Sequence, residues 1–327
     1  MQQRQLGAGG PMVSAIGLGC LSFGGLFGAT NRAESLACLD AAWEAGINFL
    51  DVANIYGNGL SEEVIGEWLR SRPHRPVIAT KASIVSGPNR RVDNSPAHLR
   101  AELEGSLKRL GVERVDLFYM HRHEQARPIE EVAETMAALI REGKIGGYGL
   151  SEIAPYTLRR AHAVHPVMAV QNEYSLWTRQ PDLGLIQACA ELGVAFVPFS
   201  PLARGVFGDP MLDPDLHDLG PFRCQIPRFS PENWPKNRQK LLEFQALASR
   251  MGHHPSALAL AWCLHRGPHL VPIPGTRSAD HLKAWAKADE IILTPGEMAA
   301  IEAVLPVGWA YGDRYNDEMA ASVERFS

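Results

Sequence analysis

Short apolar runs recur along this chain, separated by longer stretches whose apolar and polar positions alternate with a helical period. The runs at residues 14–19, 47–52, 77–81, 115–121, 147–151, 167–173, 194–200 and 270–273 predict eight strands. Helices are predicted between and after them, over 33–45, 61–70, from Ser95-Pro96 onward, 128–142, 155–164, 183–192, 236–250, 255–265, 278–288 and from Thr294 to about 304. Several starts carry capping chemistry: Asn31 has Glu34 three residues on, Ser95 precedes a proline, and Thr294-Pro295 is followed by Glu297.

Strands alternating with helices predict an α/β fold with a parallel sheet. At 327 residues, one closed (β/α)8 barrel accounts for the whole chain, 1–327, as a single domain. A glycine-rich turn at 7–11 would form an N-terminal hairpin-like cap. An open doubly wound sheet would want a glycine fingerprint after its first strand, and Gly17-Leu18-Gly19-Cys20-Leu21-Ser22 has serine at the third glycine place. Prolines at 201, 210, 214, 221, 227, 231 and 235 exclude regular structure from the stretch after strand seven. That stretch is expected to be a long loop closing over a ligand, with a C-terminal helix and tail completing the chain.

Parity along the strands locates the chemistry. Ile47 and Phe49 share parity with Asp51, Val77 and Ala79 with Lys81, and Val115, Leu117 and Tyr119 with His121. In a closed barrel these three ionisable residues would converge at the carboxyl ends of adjacent strands, where barrel enzymes hold their sites. Tyr56 follows Asp51 by five residues in a glycine-flanked turn. Its phenol becomes a proton donor if the Lys81 ammonium lowers its pKa toward neutrality, with Asp51 keeping that ammonium charged. Such a group suits a carbonyl oxygen. The later strands end in Ser151-Glu152, Gln171-Asn172 and Phe199-Ser200, amides and hydroxyls around an aromatic plane that suit a flat heterocycle bearing a carboxamide. Gly275, Thr276 and Arg277, leading into a helix, form a candidate phosphate site. A strand-end lysine is also the nucleophile of a Schiff-base aldolase, but Asp51 would hold Lys81 in the protonated, non-nucleophilic state.

Composition narrows the class. Hydrophobic residues make 46% and charged residues 21%, which excludes a disordered chain or a disulfide scaffold. Lys and Arg number 32 against 36 Asp and Glu, and this slight acidity speaks against a nucleic-acid partner. The five cysteines, Cys20, Cys38, Cys189, Cys224 and Cys263, show no metal or pairing spacing, so no metal is expected. No apolar run is long enough to span a bilayer, and the N-terminus lacks a signal-peptide core, so a cytoplasmic location is expected.

Seven stretches, FLDVANIYGNG, VIATK, DLFYMHRHE, GLSE, AVQNEYSLWTR, FVPFSPLARG and LVPIPGTRS, resemble the aldo-keto reductase superfamily, in particular its bacterial, fungal and plant branch acting on small aldehydes and ketones. The resemblance implies a (β/α)8 barrel that binds NADPH in extended form. It implies Tyr56 as general acid, Lys81 and Asp51 as the pair lowering its pKa, and His121 as the residue orienting the carbonyl. Ser151 and Gln171 would hold the nicotinamide carboxamide and Phe199 would stack on the ring. Ser200, Leu202 and Gly205 would border the pyrophosphate with Arg204 nearby, and Thr276 and Arg277 would meet the 2′-phosphate. Departures lie at His281, where relatives carry arginine, and at Ala284 and Trp285, where they carry a Glu-Asn pair, leaving NADH as an alternative. A cofactor-sensing regulatory subunit on the same fold is the other reading. Phe23, Ile55, His123, Trp177, and Trp309 or Tyr311 would wall an aromatic pocket for an apolar or cyclic carbonyl compound.

Overall fold

A computed structural model describes residues 1–87, 91–208, 210–215 and 217–326. Positions 209 and 216 of the expected long loop lie outside the described residues. The strands are β1 (Gln3–Gln5), β2 (Met12–Ser14), β3 (Leu18–Gly19), β4 (Phe49–Asp51), β5 (Val77–Ala82), β6 (Ile84–Val85), β7 (Arg91–Val92), β8 (Val115–Met120), β9 (Ile145–Ser151), β10 (Ala169–Gln171) and β11 (Ala195–Phe196). The helices are α1 (Arg32–Glu44), α2 (Leu60–Ser71), α3 (Pro96–Leu110), α4 (Ile129–Arg141), α5 (Pro155–Val164), α6 (Leu185–Leu192), α7 (Gly220–Arg223), α8 (Trp234–Arg250), α9 (Pro255–Leu264), α10 (Ala279–Lys283), α11 (Pro295–Val304) and α12 (Asp317–Ala320). The capping sequences act as their chemistry requires. Asn31 accepts from the Glu34 amide at 2.8 Å, Ser95 from that of His98 at 3.3 Å, and Thr294 and Glu297 form a reciprocal capping box.

Seven strands make one sheet in the order β11-β10-β9-β8-β5-β4-β3, and every pairing in it is parallel. The eighth place is not a regular strand. Residues 270–275 close the ring through isolated parallel bridges, Phe196 to Leu270 and Phe199 to Ile273 on one side and Gly19 to Gly275 on the other. Pro272 and Pro274 alternate there. They cannot donate a ladder hydrogen bond, but their carbonyls accept from Gly17 and Gly19 at 3.0 Å each. The result is a (β/α)8 barrel.

Parity sorts the apolar residues into two layers. Phe49, Ala79, Leu117, Tyr119, Ala169, Ala195, Val197, Val271 and Ile273 fill the barrel interior, and Leu6 and Val13 from the antiparallel β1–β2 hairpin plug its floor. Leu50, Ile78, Phe118, Met120, Leu150, Val170 and Phe196 face the helices. Ile47 and Val115, expected to point inward with Asp51 and His121, join the outer layer: Ile47 precedes the regular strand β4, and Val115 is the first residue of β8. Glycines make room inside: a Cβ at Gly149 would meet the Tyr119 ring at 2.4 Å. Among the described residues no helix is long and apolar enough to cross a membrane.

Candidate active site

The carboxyl ends of β4, β5 and β8 bring Asp51, Lys81 and His121 to one mouth. Lys81 is fully buried and its ammonium donates to Asp51 Oδ1, to the Val52 carbonyl at 2.8 Å and to the Tyr56 phenolic oxygen at 3.5 Å. Asp51 Oδ2 accepts from the Gln171 amide at 2.7 Å, which orients both groups. The Tyr56 and His121 rings meet edge to face at 6.0 Å. Tyr56 is held by a close backbone approach: a Cβ at Gly24 would fall 2.5 Å from the Gly57 nitrogen, so only glycine lets the turn after β3 press on the Tyr56-Gly57 peptide.

Electrostatics place the protons. Burial alone would lower the Lys81 pKa, yet the adjoining Asp51 carboxylate and Tyr56 oxygen carry it above the ordinary lysine value, so it stays an ammonium. Tyr56 departs from the sequence expectation. Burial raises its pKa above 10 and outweighs the lowering by Lys81, so the phenol remains protonated at neutral pH rather than titrating near it.

Above this group opens a cleft of about 1720 Å³. Asp51, Ile55, Tyr56, His121, Ser151, Gln171 and Phe199 line its inner end. Ser200, Leu202, Arg204 and Gly205 line its flank, and Gly275, Thr276, Arg277 and His281 its outer end. Lys81 lies beneath the wall. Trp285 is both a cleft residue and part of the core. The long loop does cross the opening: Phe222 packs edge to face on Phe27 at 5.7 Å, and the Arg223 guanidinium lies 4.3 Å from the Phe27 ring centre.

Other expected wall residues lie elsewhere. Phe23 is fully buried in the core. Trp177 and Trp309 pack on each other at 5.7 Å, with the Trp309 indole donating to the Leu176 carbonyl at 2.7 Å. His123 pairs with Glu324 at 2.6 Å, and Tyr311 lies on the surface under Lys236. Their places near the mouth are taken by Tyr315, Met319 and Ser322 from the tail, which carries no periodic signal. Arg204 is on the wall but committed to Glu173 at 2.6 Å. The expected helix over 278–288 stops at Lys283 and resumes as one tight turn at Ala288–Glu290, so α10 is too short to add much dipole.

A family model described as the aldo/keto reductase family matches residues 15–306. The chain belongs to the aldo/keto reductase family. A protein named probable aldo-keto reductase 1, from Glycine max, is 38% identical over 322 residues, covering 96% of this chain and 92% of its own. The solved structure of a glycerol dehydrogenase from Gluconobacter oxydans superposes with a TM-score of 0.82 at 28% identity, covering 90% of this chain and 92% of that one. This aldo/keto reductase is accordingly an oxidoreductase of the carbonyl–alcohol type.

The cleft is long enough for a nicotinamide cofactor of the kind the family uses. Arg223 and Arg277 both line it beside Phe27, and neither has a carboxylate partner among the described residues. Arg223 donates to the Arg204 carbonyl at 3.0 Å, and Arg277 to that of Phe27 at 3.4 Å. Burial, together with repulsion by Arg204 and Arg277, pulls the Arg223 pKa down to about 10, the mark of a cation lacking its anion. Sequence reading passed over Arg223 because a lone arginine in a proline-rich loop has no pattern to place it.

Proposed function

We propose that this chain catalyses the reversible NADPH-dependent reduction of an aldehyde or ketone to the alcohol, acting as one domain over 1–327. The observation that carries the reading is the protonated Tyr56 phenol over a buried Lys81–Asp51 pair at the inner end of a long, cation-flanked cleft. When bound, the nicotinamide supplies a hydride to the carbonyl carbon. Tyr56 gives its hydroxyl proton to the carbonyl oxygen, so hydride and proton together make the alcohol. The Lys81 ammonium stabilises the phenolate left behind, and Asp51 cancels the charge that burial would otherwise make costly. His121 offers a ring nitrogen to the same oxygen and fixes its direction.

Ser151 and Gln171 would hold the carboxamide, and Phe199 would lie against the ring. Ser200, Leu202 and Gly205 would border the pyrophosphate, and Arg277 with Arg223 would meet the phosphates. Thr276 shapes its turn instead, its hydroxyl accepting from the Ser278 amide at 3.0 Å. Two cations without carboxylate partners among the described residues favour NADPH over NADH. A Schiff-base aldolase is poorly supported, since Lys81 is buried beneath the wall and held protonated.

Cofactor oxidation followed against aldehydes, ketones and sugars, with NADPH and then NADH, tests the proposal. NADPH-dependent turnover on part of the panel is expected. Cofactor binding without turnover on any member would instead favour the cofactor-sensing subunit.

A further inference from the structure

Arg122 follows His121 and lies on the same wall as Tyr56 and Ser151. Its Nη1 donates to the His121 carbonyl at 2.6 Å and to Ser151 Oγ at 3.4 Å. These bonds hold the guanidinium at the wall without neutralising it. Nε is buried with no hydrogen-bond partner, and no carboxylate pairs with the group among the described residues. Carboxylates of the surrounding elements are engaged elsewhere: Asp51 with Lys81, Glu152 with Arg314, Glu124 with Arg127 and Glu324 with His123. Because the Asp51–Lys81 pair sums to zero, Arg122 supplies the net charge at the inner end of the cleft. Nε is closed off from the cleft, but Nη2 makes no hydrogen bond among the described residues, so the guanidinium that lines the cleft lacks a counter-ion, whose natural form is a carboxylate.

We infer that Arg122 is an anion subsite beside the carbonyl position, and that the substrates this chain prefers are aldehydes or ketones bearing a carboxylate. The inference deepens the reductase reading above and rests on it. The carboxylate meets Arg122 while the carbonyl oxygen meets Tyr56 and His121, so the charge fixes which end of the substrate faces the nicotinamide position. Arg122 thereby sets specificity rather than moving a proton.

Two matched pairs test this: butanal against 4-oxobutanoate, and benzaldehyde against 4-carboxybenzaldehyde. Wild type is expected to favour the charged member of at least one pair by about tenfold or more in kcat/KM, mainly through KM, with the preference shrinking as salt rises. In Arg122→Leu that ratio falls to near one, and Arg122→Lys recovers part of it. A wild-type ratio near one, or a ratio unchanged by Arg122→Leu, overturns the inference. Calorimetry of 4-carboxybenzyl alcohol on the NADP-loaded protein gives a readout without turnover: about tenfold weaker binding is expected for Arg122→Leu, and equal binding overturns the subsite. If neither member of any pair is reduced, the reductase reading falls, and calorimetry still decides the role of Arg122. Should Arg122→Leu lose its circular-dichroism signature, Arg122→Gln is measured in its place under the same criteria.

Discussion

At the scale of single residues, one phenol decides the chemistry. Tyr56 feels two opposed effects, burial raising its pKa and the Lys81 charge lowering it, with burial the larger. The cofactor-free chain should therefore show no tyrosinate from Tyr56 below the ordinary tyrosine range. Lys81→Met, which removes the lowering influence, should move that ionisation further up. Difference titration of each against its Tyr56→Phe counterpart reads both, and a tyrosinate forming near neutrality would refute the balance of effects. Asp51, Lys81 and His121 were legible in the sequence because strand parity and position at a carboxyl end are fixed by geometry. Phe23, Trp177 and Trp309 were assigned to the pocket wall on residue type, and His123 on the strand parity it shares with His121. An aromatic ring in a loop fills core as readily as a pocket, and only long-range packing decides between them.

At the scale of elements, the long loop and the tail shape the cleft, and both are held by charge. Arg314 bridges Glu152 at 2.5 Å and Glu173 at 3.4 Å, while Glu324 accepts from the Ala154 amide at 2.7 Å. Tyr315, Met319 and Ser322 between these anchors are thereby laid on the mouth. Glu152, Ser200, Ala203 and Arg204 adopt left-handed backbone at φ of 57°, 50°, 49° and 61° beneath them, strain that the ion pairs and packing hold in place. Glu173→Gln leaves Arg204 and Arg314 short of their shared carboxylate and should cost about 3–5 kcal/mol in denaturant unfolding. The sign with pH follows from Glu173. Burial would raise its pKa, but Arg204 and Arg314 hold it below the ordinary 4.5. Its stabilisation is complete above that value and is lost as pH falls through the depressed one. The gap between wild type and mutant should therefore close in acid, and a gap independent of pH would contradict the network. Arg223→Ala should weaken NADPH binding by about tenfold in fluorescence titration, since it removes a charge-assisted contact. Equal affinity would place Arg223 outside the cofactor site. None of these contacts carries a period, so the sequence announced the loop by its prolines but not what it touches.

At the scale of the whole molecule, the barrel was readable because alternation and parity are local, repeated signals. Closure by 270–273 was read from the sequence too; what was not is its form, isolated bridges on either side of prolines rather than a full strand. The interior packing is likewise a property of the closed ring: Gly149 is unremarkable in sequence yet leaves the space that Tyr119 fills. Gly149→Ala should destabilise by about 1–3 kcal/mol through overpacking, read as a lowered denaturation midpoint, and an unchanged midpoint would show a looser interior. The floor plugged by the β1–β2 hairpin and the filled interior leave one open end, where the charges, the cleft and the tail meet. The account stands on Tyr56 as the proton donor there. Tyr56→Phe should bind NADPH with wild-type affinity by fluorescence titration while carbonyl reduction falls by about 10²–10⁴-fold. Reduction at the wild-type rate by that variant would contradict it.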